Sequence, residues 1–286
     1  MPARPALSVC VPVHQGARYL ESTLRSVLDQ DADLEVVVRD NGSTDGSSEI
    51  VRGLDDPRIR LVRVEETVPM AENWARTVEL ARADLVKIVC ADDLVAPGAL
   101  PAQIAALTAD PSLAIVVGRT DMVDADGRTL FPNRHVPRSL LGPRPAADVL
   151  RAVVRHGGNP IGPSAAVMFR RAHYEAVGGV GGSLHFTMDL DLWVRLLRHG
   201  GLHGDSRTAA SFRIHPGSAS AAATRAEFAV QRAFTRRLIR EAEPAIRRRD
   251  RVVGVAGCYA ALLRRYGLFL LGDLSRRRAA RIRRHA

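Results

Sequence analysis

Short apolar, β-branched runs alternate with amphipathic segments from the N-terminus onward. Leu7-Ser8-Val9-Cys10-Val11-Pro12-Val13 reads as a buried strand. After a break at Gln15-Gly16, the positions Tyr19, Leu20, Leu24, Val27 and Leu28 recur at helical spacing. Leu34 to Arg39 reads as a second strand, Ile59 to Val64 as a third and Leu85 to Cys90 as a fourth. Helices are predicted over Ala71 to Ala81 and Gly98 to Leu107. Such alternation predicts an α/β fold, a parallel sheet with helices on both faces. From Arg128 to Gly158 the pattern is irregular and yields no element or motif.

Two of these strands empty into acids. The second ends in Asp40-Asn41-Gly42-Ser43-Thr44-Asp45-Gly46, and the fourth runs through Cys90-Ala91 into Asp92-Asp93. In open α/β sheets ligands bind beyond the carboxyl ends of the strands, so these loops can converge on one ligand. Adjacent carboxylates repel each other, and a hard divalent cation such as Mg²⁺ or Mn²⁺ relieves that repulsion. The competing reading is that Asp92 and Asp93 cap a helix starting at Pro97, since acids favour helix N-termini.

Several segments, in order, resemble the signature of family 2 glycosyltransferases. They are Ser8 to His14, Val37 to Gly46, Ala91-Asp92-Asp93, Pro160 to Ser164 with Val167 to Arg171, Met188 to Leu196, and Arg213 to Ser220. Together they span roughly the first three quarters of the chain. The resemblance implies a GT-A fold, with a mixed, mainly parallel sheet, and an inverting, metal-dependent sugar transfer from a nucleotide-diphosphate sugar. Residues 1–110 would be the nucleotide-sugar-binding half, 111–222 the acceptor-binding and catalytic half, and 223–286 a C-terminal helical appendage. Pro12 and His14 would line the base pocket and Asp40 would accept a hydrogen bond from the nucleobase. Asp92 would face the ribose or the metal, Asp93 would bind Mg²⁺ or Mn²⁺, and His215 would join the metal from a loop that closes over the diphosphate. Asp189 matches the general base that takes the proton of an acceptor hydroxyl on a carbohydrate, lipid-linked or small molecule; Asp191 is its rival. Asn73, Arg119 and Arg170 would flank the donor sugar. The implied role is cell-surface polysaccharide, glycolipid or glycoconjugate synthesis.

Three positions depart from the family pattern. Cys90 stands where many relatives carry the first acid of the metal motif, Met188 replaces an acid that commonly precedes the base, and Asn41 replaces a variable acid. Cys90 and Met188 also mark the alternative, a nucleotide-sugar-binding scaffold without turnover. A Rossmann oxidoreductase is disfavoured, because Val11-Pro12-Val13-His14-Gln15-Gly16 stands where G-x-G-x-x-G would follow the first strand. The run Gly178-Gly179-Val180-Gly181-Gly182 lacks the Lys-Ser/Thr ending of a phosphate loop and reads as a segment that orders over substrate.

Charge and cysteines change the picture little. The net charge is +10 and Lys87 is the sole lysine, so the basicity is arginine, in keeping with a GC-rich genome. No aromatic interleaving or basic zipper accompanies it, so no nucleic-acid partner is expected. Cys10, Cys90 and Cys258 lack disulfide or metal spacing, and no secretory leader is read at the start, so a cytoplasmic setting is expected. From Thr224 onward two or three helices are predicted. The apolar run Val252 to Leu263 is broken by Arg264-Arg265, which argues against a spanning helix. It predicts an interfacial helix at the inner membrane face, or a homodimer contact, with an Arg-rich tail; the other reading packs these helices on the catalytic domain.

Overall fold

The structure is a computed structural model that describes residues 4–181, 187–215, 225–242, 245–261, 263 and 264. The first half carries the strands and helices that the hydropathy pattern predicts, with one short helix, Ser47–Gly53, that the pattern does not mark. Strand β1 (Leu7–Val13) is followed by helix α1 (Ala17–Leu28), β2 (Leu34–Asn41), α2 (Ser47–Gly53), β3 (Ile59–Val64), α3 (Met70–Glu79) and β4 (Leu85–Ile88). These strands are parallel and lie in the order β3-β2-β1-β4. Every residue of β1 and β2 is buried, because helices cover both faces of the sheet. The order reverses at β1, which opens a crevice above the ends of β1 and β4.

A short strand β5 (Leu94–Val95) leads to α4 (Ala99–Ala109), then β6 (Leu113–Val123) and β7 (Thr129–Arg134). Next come β8 (Gly142–Arg144), α5 (Ala146–His156), β9 (Val167–Arg170), α6 (Arg171–Ala176), α7 (Met188–Leu196) and β10 (Gly201–Arg213). The full sheet has ten strands in the order β3-β2-β1-β4-β9-β6-β10-β5, with β7 on β6 and β8 on β10. β9 runs antiparallel to both β4 and β6, while β10 returns parallel to β6 and antiparallel to β5. This is the mixed α/β sheet flanked by helices that the GT-A resemblance implies.

The segment 128–158, irregular by its pattern, is largely structured. It holds β7, β8 and α5, which buries Val149, Val153 and Val154 on one face. Its helical stripe is short and begins after Pro143 and Pro145, which masks the period. Helix α8 (Arg225–Glu241) and a further helical stretch, 248–261, form the described part of the appendage. Phe234 and Leu238 of α8 and Ile246 are buried, so this part of the appendage packs on the rest of the protein. The tail beyond Arg264, with Arg276 to Arg278, lies outside the described residues.

Lys87 sits in the middle of β4 at 0% exposure. Its Nζ donates to Gln103 Oε1 at 2.8 Å, and Gln103 in turn donates to Ala166 O at 2.8 Å. Burial pulls its pKa from 10.5 down to about 7. Between those two values the unfolded chain holds a proton that the folded chain does not, so stability rises with pH. Lys87→Met is expected to remove this slope. Urea denaturation at about pH 7 and about pH 10 should show wild type gaining on the variant by a few kcal/mol; a parallel response of the two would refute the assignment.

Candidate active site

The acidic loop after β4 is held from three sides. Thr23 Oγ1, on α1, donates to Ala91 O at 2.9 Å. Arg213, the last residue of β10, donates its backbone N–H to Asp93 Oδ1 at 3.1 Å and its Nε to Asp92 O at 2.9 Å. His215 Nε2 lies 3.0 Å from Asp92 Oδ2. Asp93 is 1% exposed, and burial, then the neighbouring Asp92 carboxylate, push its carboxyl well above the usual carboxylate range. Asp92 and Asp93 precede β5, with Gly98 rather than either acid at the N-cap of α4, so the helix-capping reading fails. Cys90, Asp92 and Asp93 each offer a ligand atom, all within 4.8 Å of one another. The two carboxylates suit a hard divalent cation, whereas burial and both aspartates hold the Cys90 thiol protonated, which makes it a poor ligand for one. His215 reaches this cluster through Asp92; Pro216 to Ser220 lie outside the described residues.

The β1 and β2 ends form the neighbouring wall. Pro12 is buried in β1, whereas His14 is exposed, with Nδ1 2.9 Å from Asn41 O. Asp40 is buried and already braces its own loop: Oδ1 accepts Ser43 N–H at 2.9 Å and Oδ2 accepts the Ser48 hydroxyl. Gly42 is required here, since a Cβ would stand 2.9 Å from Glu65 O at φ +70. Asn41 accepts Val68 N–H at 3.0 Å and donates to Val68 O at 2.8 Å, fastening the loop before α3.

Asp189 lies in the first turn of α7, half-buried. Asn159 Nδ2 donates to its Oδ2 at 3.0 Å, and Leu190 N–H reaches its Oδ1 at 2.7 Å. Burial outweighs both bonds and raises its pKa from 3.8 to about 6. Asn159 is itself fixed by Ile161 and Gly162 N–H groups at 3.1 and 3.0 Å. The same loop brings Ser164 Oγ to 3.7 Å from Cys90 Sγ, and the Asp189 charge is felt at Cys90. The base candidate and the acidic loop therefore share one wall. Asp191 is built differently: Arg195 Nε donates to its Oδ2 at 2.8 Å and Arg237 of α8 bonds its Oδ1, which makes it an anchor for the appendage.

Other expectations move. Arg170 binds Leu107 O, Asp110 O and Leu113 O, at the opposite end of the sheet from Asp93, because β9 is antiparallel. It is a structural residue with no route to a donor sugar. Asn73 is buried against Arg39 and Val13 O, and Arg119 sits half-buried on β6. Trp193 is 0% exposed, its Nε1 donating to Gly162 O at 3.2 Å, so it belongs to the core. Gly178 and Gly179 turn the chain after α6 with φ of +76 and +69; Gly182 lies outside the described residues. Asn159 is the residue of the candidate site that the sequence reading passed over, and Arg213 enters it only as part of the Arg213 to Ser220 segment, with no role of its own. The Asn-Pro step at 159–160 was the available signal for the first.

The sheet order, the acid-ended β4 and the crevice beside it define the GT-A class of fold. Residues 8–178 match the family described as Glycosyl transferase family 2, and the chain belongs to that family. It is 32% identical over 202 residues to the uncharacterized protein MT1568 of Mycobacterium tuberculosis, covering 68% of this chain and 63% of that protein. It is 30% identical over 140 residues to the putative teichuronic acid biosynthesis glycosyltransferase TuaG of Bacillus subtilis, covering 48% of this chain and 55% of TuaG. The match thus spans less than two thirds of either relative's length. Staphylococcus aureus TarS 1-349 in complex with UDP-GlcNAc superposes with TM-score 0.63 at 17% identity, over 91% of this chain and 72% of that one. The mannosyltransferase PcManGT from Pyrobaculum calidifontis, in complex with GDP-Man and Mn²⁺, does so with TM-score 0.56 at 22% identity, over 96% and 81%. Both likenesses are of fold.

Asp189 takes up a proton more readily folded than unfolded, so its burial costs stability once the pH exceeds the ordinary carboxylate value and most above about 6. Asp189→Asn keeps the Asn159 bond and removes the charge. It is expected to raise stability by roughly 1 to 2 kcal/mol at neutral pH, a gain that fades as pH falls toward about 4. Chemical denaturation of both proteins across that range measures it; a loss of stability at neutral pH would contradict the geometry.

Proposed function

We propose that this protein transfers a sugar from a nucleotide-diphosphate sugar to an acceptor hydroxyl with inversion, Asp189 acting as general base. The observation that carries the reading is a half-buried carboxylate, held by Asn159 and raised to about 6, on the same wall as the half-buried Asp92 and the buried Asp93. The acceptor oxygen attacks the anomeric carbon while its proton passes to Asp189, and the bond from that carbon to the diphosphate breaks with its electron pair on the leaving oxygen. A base with a pKa near 6 is ionised at neutral pH yet strong enough to accept that proton.

Asp93 would hold a divalent cation, Mn²⁺ or Mg²⁺, with Asp92 at hand as a further ligand and His215 beside Asp92. Such an ion offsets charge gathering on a diphosphate leaving group. Support for the donor comes from relatives of the same fold, whose complexes hold UDP-GlcNAc or GDP-Man with Mn²⁺. Pro12, His14 and Asp40 would lie against the nucleobase, with Asp40 bracing the loop from within. TuaG suggests a cell-surface polysaccharide or glycoconjugate as the acceptor class.

A thermal-shift panel of UDP, GDP, dTDP and CDP, each with and without Mn²⁺, tests the donor site. One nucleotide should raise the melting temperature only with metal, and Asp93→Ala should abolish the shift. In a donor-turnover assay Asp189→Asn should lose at least about a hundredfold in kcat while keeping that shift. The wild-type rate should fall as pH drops through about 6, where Asp189 becomes protonated. Metal-dependent binding with no turnover under any acceptor would instead favour the scaffold reading, and a flat panel would sink both.

A further inference from the structure

The large apolar side chains that stand strongly exposed among the described residues lie on the helical stretch 248–261 and at Leu263 just after it. They are Val252 at 73%, Val253 at 47%, Val255 at 59%, Tyr259 at 49% and Leu263 at 72%. Val252, Val255, Tyr259 and Leu263 follow one another at steps of three, four and four, so they form a single stripe.

The helix cannot roll to hide this stripe, because its other face is taken. A Cβ on Gly257 would come within 2.2 Å of Arg155 O, and one on Gly254 within 2.9 Å of Val154 O, so the backbone lies directly on α5. Cys258 is buried against Thr235 of α8, and Asp250, at 0% exposure, accepts from Arg155 Nε at 2.5 Å. Glycine on one face and bulky apolar groups on the other is the reverse of an ordinary surface helix, whose outward face is polar.

Charge identifies what covers the stripe. Arg248 and Arg249 are exposed at its start and Arg264 at its end, and Arg232 lies over the Tyr259 ring at 5.6 Å. The chain continues for residues 265–286 with seven arginines against one aspartate. Two copies meeting through this face would bring arginine against arginine. An anionic bilayer offers both an apolar layer and phosphates for the guanidinium groups. Among the described residues no helix is long and apolar enough to cross a membrane, so the contact is with the surface.

We propose that the stripe Val252–Val255–Tyr259–Leu263 docks the protein on an anionic lipid surface, its side chains at the headgroup boundary and its flanking arginines among the phosphates. This goes beyond the transferase reading and does not depend on it. The two are nevertheless neighbours in space: Gly157 and Gly158 touch the docking helix, and Asn159, next in sequence, holds Asp189.

The test uses the full chain and vesicle flotation. Wild type should float with phosphatidylcholine vesicles containing about a third phosphatidylglycerol, stay behind with phosphatidylcholine alone, and lose binding as salt rises. The combined variant Val252→Ser, Val255→Ser, Tyr259→Ser and Leu263→Ser keeps every arginine. It should melt at the wild-type temperature and bind the anionic vesicles at least about tenfold less tightly. Wild type that remains in solution with anionic vesicles overturns the proposal. So does a variant that floats like wild type, which would leave the arginine tail as the sole contact. Sedimentation showing a dimer that the variant dissolves, with no vesicle binding by wild type, would give the face to a second copy.

Discussion

Two carboxylates forced side by side at the end of a buried strand are the constraint around which the upper surface of this sheet is organised. Asp93 is almost fully enclosed and Asp92 stands next to it, so the Asp92 charge adds to what burial already costs Asp93 on ionising. The structure offsets that cost with the backbone N–H and guanidinium of Arg213 and with His215. Arg213 also bonds Asp124 O and Ala125 O and lies 4.5 Å from the Tyr19 ring, so the acidic loop, the β6 exit and α1 are tied at one residue. That tie requires β10 to cross the sheet over thirteen residues and end beside β4's loop, which its parallel pairing with β6 allows.

The base candidate follows a different logic. Asp189 is kept ionisable by a small number of bonds and kept basic by burial, whereas Asp191, two residues on, is neutralised by two arginines. One helix start therefore carries two acids with separate duties. Asp191 secures α8 to the catalytic body; Asp189 stores unfavourable energy that a purely structural acid would have shed. The loop Asn159 to Ser164 sets the distance between that energy and the acidic pair, because its first residue grips Asp189 and its last touches Cys90.

Much of this was legible in the residues. The apolar runs within β1 and β2 read as buried parallel strands, and an acid at a strand exit had to lie on the ligand edge once the order 3-2-1-4 was formed. What stayed hidden depends on strand direction and long-range contact. Arg170 looked like a site residue because its motif neighbours are, yet the antiparallel insertion of β9 sends it to the far edge. Helix α5 was obscured by its prolines and by a stripe of only three buried valines. Asn159 escaped because a lone asparagine carries no period; its worth lies in a partner thirty residues away.

Cys90 becomes intelligible once burial is considered together with charge. A third acid at this position would place another carboxylate beside Asp92 and Asp93, within reach of Asp189 as well. Every added negative charge there would make both Asp93 and Asp189 harder to ionise. A thiol stays neutral here, packed on Ser164, because burial and the two aspartates raise its pKa. Cys90 thus spares the cluster a charge and leaves the two aspartates to offer carboxylate oxygens, and Met188, buried where the family resemblance implies an acid, acts in the same direction on Asp189. The two departures from the pattern that the resemblance implies are best read together, as one adjustment of charge around the enclosed Asp93 and the half-buried Asp189.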